Sequence, residues 1–115
     1  MDDLAVFIRA RLAEIEQAAA AASEGPWVPW RGNPGLGLRG LEYAVTLPGQ
    51  GEGSPAAIAA ASWLDAEHIA LHDPAHELRV TMTMRAILVL DEPMATRLLG
   101  AIWIGHPDYR DEWKP

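Results

Sequence analysis

His68, His72 and His76 recur every four residues. On one continuous helix that spacing stacks three imidazoles along a single face, with Asp65 about one turn earlier, and imidazoles so placed can chelate a divalent metal. A hydrolytic metal site would also need a carboxylate base, for which Asp65, Glu67 and Asp73 stand nearest in sequence. A competing reading needs no metal. Pro74 disfavours α geometry at Asp73, so a break is expected between the second and third histidine. His68 would then pack beneath a sheet while His72 satisfies carbonyls at a helix C-terminus, where a partly cationic ring suits the dipole.

The second segment with unusual chemistry is His106-Pro-Asp-Tyr-Arg-Asp-Glu-Trp113, which places His106 as a further candidate metal ligand. Tyr109 and Trp113 are four apart. As one helical turn they would anchor the tail to the body and leave Asp108, Asp111 and Glu112 in solvent. As an exposed peptide the same segment would dock a partner, with Tyr109, Trp113 and Asp108 as contact residues. The chain has five tryptophans against one phenylalanine, and Trp27 and Trp30 flank prolines where an exposed ring could also serve a partner. Otherwise large rings complete a core in which 20 residues are alanine.

Other catalytic patterns are missing. The Gly-x-Gly within Gly32 to Gly40 lacks the strand–helix context and the Lys-Ser/Thr of a phosphate cradle. Ser23, Ser54 and Ser62 stand in no Gly-x-Ser-x-Gly elbow. With no cysteine, disulfides, thiolate metal sites and cysteine nucleophiles are excluded. Arg79 and Arg85 are expected to form solvated ion pairs. No catalytic residue is assigned and no cofactor is expected, a divalent metal being the one candidate.

The 115 residues suit one domain. Nine Lys and Arg stand against 16 Asp and Glu, a formal net charge of −7, which disfavours nucleic acid and anionic membrane surfaces as partners. No run approaches the ~18 apolar residues of a membrane span and Met1-Asp2-Asp3 lacks a basic signal-peptide flank, so the expected location is the cytoplasm. Extra burial in a homo-oligomer would help so small a core.

The elements that must carry these residues follow from spacing. Leu4, Ile8, Leu12, Ile15, Ala19 and Ala22 predict an amphipathic helix over 3–22. A Gly- and Pro-rich β region is expected over 25–63. Within it Leu41, Tyr43, Val45 and Leu47 alternate with Glu42, Ala44 and Thr46 as a strand with one face on the core. Trp27 to Arg31 on an edge and Ala57 to Trp63 would flank it, and Pro48 to Pro55 is a loop. Helices are expected over 63–104: one capped by Ser62 or Asp65, one capped by Asp73 with a stripe of Ala75, Leu78, Met82, Ala86 and Val89, and one after Asp91-Glu92-Pro93 with Met94, Leu98, Ala101 and Ile102. An acidic, aromatic tail fills 105–115. The fold class expected is α+β in a single domain over 1–115: an N-terminal amphipathic helix, a small antiparallel sheet of about three strands, and two or three C-terminal helices packed on it.

Gly25-Pro26-Trp27 after an alanine-rich helix, Asp65-Ala-Glu-His-Ile-Ala-Leu-His-Asp-Pro74 and the ending His106 to Trp113 together resemble an uncharacterised family of small actinobacterial and actinophage proteins, a domain of unknown function. More distantly they look like small early-region proteins of temperate phages, where an aromatic often stands at the His68 position and asparagine at the His72 position. Where the family has a charged helix after the Asp-Pro cap, this chain has Val80-Thr-Met-Thr-Met84. The resemblance implies membership and no particular activity. Together with the acidic charge it makes a non-enzymatic, phage- or prophage-type accessory protein the leading expectation, acting by binding another protein or itself. A metal-binding protein or metal-dependent hydrolase using His68 and His72 is the alternative, and an oligomer that sequesters a small ligand is a third.

Overall fold

A computed structural model describes residues 2–31, 43–47 and 57–115. The architecture is α+β, as expected: a long N-terminal helix, a three-stranded antiparallel sheet, then a series of helices. The chain divides into two compact units, Met1–Ala18 with Leu78–Pro115, and Ala19–Glu77.

Helix α1 runs over Asp2–Ala21. The apolar stripe read from spacing buries as expected at Leu4, Ile8, Leu12 and Ala19, while Ile15 is half-buried and Ala22 exposed. Phe7, three residues after Leu4 on the same face, is also buried and joins Leu4, Ile8, Leu12, Leu88 and Trp113 in the core of the first unit. Burying side chains of this size contributes about 1.5–3 kcal/mol each.

In the second unit the sheet order is β1 (Val28–Arg31), β2 (Tyr43–Thr46), β3 (Ala57–Ala59), with Trp30 opposite Ala44 and Val45 opposite Ile58. Pro29 therefore lies on an edge strand, where its missing N–H costs least. Alternation in β2 is only part of the pattern. Ala44, on the face expected to meet solvent, is fully buried beside Val45. Helix α2 (Trp63–Leu71) packs across β1 and β2 in the same unit. Leu41 and the stretches 32–42 and 48–56, with the expected Gly-rich and Pro48–Pro55 loops, lie outside the described residues.

Ser62 caps α2, its hydroxyl accepting from the Asp65 amide at 3.1 Å. Helix α3 (Pro74–Val89) starts at the expected break, with Asp73 Oδ1 accepting from the His76 amide at 2.9 Å. Helix α4 (Pro93–Gly100) is capped by Glu92, whose carboxylate accepts from the Ala95 amide at 2.7 Å, and it passes into a 3-10 turn at Ala101–Trp103. A Cβ on Gly100 would stand 2.8 Å from Leu4 Cδ1, so glycine lets α4 lie close against α1.

The stripes expected to bury α3 and α4 point the other way. Leu78, Met82, Ala86 and Val89 on α3 are exposed, as are Met94, Leu98 and Ile102 on the α4 run. The inward positions are Thr81, Met84, Arg85 and Leu88 on α3 and Thr96, Leu99 and Gly100 on α4, with Thr81 at 1% and Thr96 at 3% exposure. The physical reason lies in the hydroxyls. Thr81 Oγ1 donates to the Leu78 carbonyl and Thr96 Oγ1 to the Glu92 carbonyl, both at 3.0 Å, so each enters the interior with its polar atom satisfied by its own helix.

Candidate functional site

The histidine row belongs to the second unit. His68 sits in the last turn of α2 and His72 is the residue that caps it. His72 Nδ1 lies 2.8 Å from the His68 carbonyl oxygen. A carbonyl can only accept, so Nδ1 carries a proton and is the donor. The His68 and His72 ring centroids are 4.7 Å apart, and those of His72 and His76 are 5.8 Å apart. The row therefore survives the break at Pro74 that spacing alone said would interrupt it. His68 and His72 are both exposed, which corrects the expectation that His68 packs beneath the sheet. His72 does satisfy a carbonyl at the helix end, as expected.

Asp73 is committed to structure. Its carboxylate accepts from the His76 amide and, at 3.4 Å, from the Trp27 amide, so it ties the start of α3 to the Gly-Pro-Trp corner. A Cβ on Gly25 would come within 2.7 Å of Asp73 Oδ2, which explains the glycine there by close approach. The two sequence motifs thus meet through one carboxylate. Asp65 is exposed at the other end of α2, its amide on the Ser62 hydroxyl. Among the described residues, no group of three or more His, Asp or Glu side chains is arranged to hold a metal ion.

Trp27 and Trp30 are half-buried in the same unit. The Trp27 indole donates to the Ser23 carbonyl at 2.9 Å, pinning the chain as it leaves α1. Beside the sheet, the Arg31 guanidinium lies over the rings of Tyr43 and Trp63, at 5.6 and 5.2 Å from their centroids. Arg31 was not singled out by sequence, because nothing in its neighbours signals that two distant rings converge on it.

His106 lies in the other unit and keeps different company. Its ring stands edge-on to Phe7 at 5.4 Å, accepts from the Asp108 amide at 3.0 Å and meets the Arg11 guanidinium. A fixed cation against the ring works against holding a metal cation there. The tail that follows is packed at its aromatic positions. Trp113 is 6% exposed and lies 5.1 Å from Phe7, and half-buried Tyr109 packs edge-on to both rings. The backbone there is a 3-10 turn at Asp111–Trp113. Arg97 Nη1 donates to the Glu112 and Lys114 carbonyls at 2.7 and 2.9 Å, and Arg110 pairs with Asp3 at 3.2 Å. Trp113 is thus a core residue, which removes it from the surface a partner could reach, while Asp108 is exposed.

Arg85, expected as a solvated partner, instead makes a half-buried two-point pair with Glu16, at 2.9 and 2.6 Å. Hydrogen bonding to this guanidinium holds the Glu16 carboxyl below its ordinary value against the opposing effect of burial. On the outward sides of α3 and α4, Met82 is 70%, Val89 78% and Leu98 58% exposed. No helix among the described residues is long and apolar enough to cross a membrane.

No curated protein and no solved structure matches this chain. A family model described as a family of unknown function, DUF6221, matches residues 1–96, a span that takes in the Gly-Pro-Trp corner, the histidine row and the first half of α4. On that match the chain belongs to this family of unknown function.

Proposed function

We propose that the protein is a non-enzymatic interaction module, an accessory protein of the phage or prophage type acting in the cytoplasm, and that its contact surface is the outward apolar side of α3 and α4. One observation carries the reading: both helices bury a threonine while their leucine, methionine and valine stripes face outward. A helix that served only its own core would place those residues inward. Leaving several such side chains in water forgoes about 1.5–3 kcal/mol each, which a bound protein surface would recover. The acidic balance favours a protein partner over nucleic acid. A second copy of the chain is one such partner.

The test uses Met82→Glu combined with Leu98→Glu. Both sites are exposed, so the doubly charged protein is expected to melt with the wild type. Sedimentation velocity and affinity capture then compare the two. The reading expects the wild type to associate, with itself or with a captured protein, and the variant to lose that association. Equal association by both proteins would refute it.

A further inference from the structure

We propose that His72 binds one borderline transition dication, of the Zn²⁺ or Ni²⁺ class, as a two-imidazole chelate with His68 on one side or His76 on the other, His72 Nε2 being the common ligand. The inference goes beyond the protein-binding reading and does not depend on it.

The state of the central ring comes first. Its Nδ1 proton is held by the His68 carbonyl at 2.8 Å, which leaves Nε2 as the nitrogen available to a metal. Donation of the second ring N–H to a backbone carbonyl is the arrangement that orients metal-ligating histidines and raises their basicity. With Nδ1 committed to the carbonyl, Nε2 is the ring nitrogen that a metal would meet on this exposed side chain.

The neighbours come next. His68 precedes it by one helical turn and His76 follows it across the Pro74 break, with ring centroids at 4.7 and 5.8 Å. His72 thus has an imidazole on each side. His68 and His72 are exposed, so a cation needs little desolvation of protein groups to reach them. The net charge of −7 raises the local concentration of dications. Imidazole donors select Zn²⁺, Ni²⁺ and Cu²⁺ over the hard, oxygen-seeking Mg²⁺ and Ca²⁺. Because the described residues offer no convergent group of three or more ligands, the site is a two-imidazole chelate completed by water. That composition sets the affinity well below that of a closed structural zinc site.

Asp73 is not part of the set. Its carboxylate is spent on the Trp27 and His76 amides, and it serves by fixing where α2 ends and α3 begins.

The experiment is calorimetric titration of the untagged full chain with ZnCl₂, and separately NiCl₂, in a non-coordinating buffer at neutral pH, beside His72→Gln, His68→Gln and His76→Gln. The expected result is one ion per chain, at least a ten-fold loss of affinity in His72→Gln and a smaller loss in each flanking variant. MgCl₂ is expected to produce no binding. A second readout avoids substitution: the histidine ring ¹⁵N resonances of the wild type should show Zn²⁺ on His72 Nε2, with Nδ1 still protonated. The proposal is overturned if the wild type takes up neither metal, if His72→Gln binds as tightly as the wild type, or if the shifted resonances belong to His106.

Discussion

At the residue scale, small contacts decide what several conspicuous side chains are for. Asp73 reads from sequence as an N-cap because Pro74 follows it, and it is one. Its second task, holding the Trp27 amide against a glycine 48 positions earlier, has no local signal, since it depends on a chain reversal through the sheet. Gly25→Ala should destabilise the fold, and Asp73→Ala should cost about 1–2 kcal/mol through the lost cap. Because the added methyl clashes with the very carboxylate removed, the double variant should be less damaged than the sum of the two. A thermal-melting cycle reads this coupling, and strict additivity would refute the contact. Glu16 and Arg85 give a pH-dependent counterpart. The folded carboxyl titrates below its unfolded value, so its contribution is complete above the ordinary carboxylate range and is lost as pH falls through the lower folded value. Glu16→Gln should therefore lower stability near neutrality and flatten the acid limb of the stability curve; an unchanged acid limb would show that the pair contributes nothing.

At the element scale, periodicity located the helices and misassigned the direction of two of them. For α1 the stripe and the core coincide, since Leu4, Ile8 and Leu12 are all fully buried. For α3 and α4 the spacing of Met82, Val89, Met94 and Leu98 was legible as a stripe, but a stripe states only that a helix has two unlike sides. Which side turns inward is a tertiary outcome, and here Thr81 and Thr96 could turn inward because their hydroxyls are satisfied within the helix. The caps, by contrast, act locally: Asp73 was readable outright and Ser62 as one of two choices, and these two and Glu92 each act within three residues of themselves. The orientation has a direct check in equilibrium unfolding. Leu98→Lys should leave stability within about 0.5 kcal/mol of the wild type, as expected of an exposed site. Leu88→Ala, on the buried side, should cost about 2–5 kcal/mol. Comparable losses at both positions would place the stripe inside.

At the scale of the whole molecule, the tail belongs to the body of its unit. Trp113 joins Phe7 and Leu88 in one cluster, so truncation after Gly105 should unfold that unit and leave no folded remainder with a freed surface. Trp113→Ala alone should cost about 3–5 kcal/mol, read by near-ultraviolet circular dichroism and thermal melting. The spacing of Tyr109 and Trp113 was legible as an anchor, whereas Phe7 as the ring that receives them was not, because the contact joins the two ends of the sequence and leaves no local signal. Family membership leaves activity open, so the functional account rests on the outward stripes of α3 and α4. Its most direct test is quantitative cross-linking in producing cells, comparing the wild type with the protein carrying Met82→Glu and Leu98→Glu. The account predicts at least one chain, its own copy included, recovered ten-fold or more in excess with the wild type. Identical recovery from the two proteins, with both folded, would contradict it.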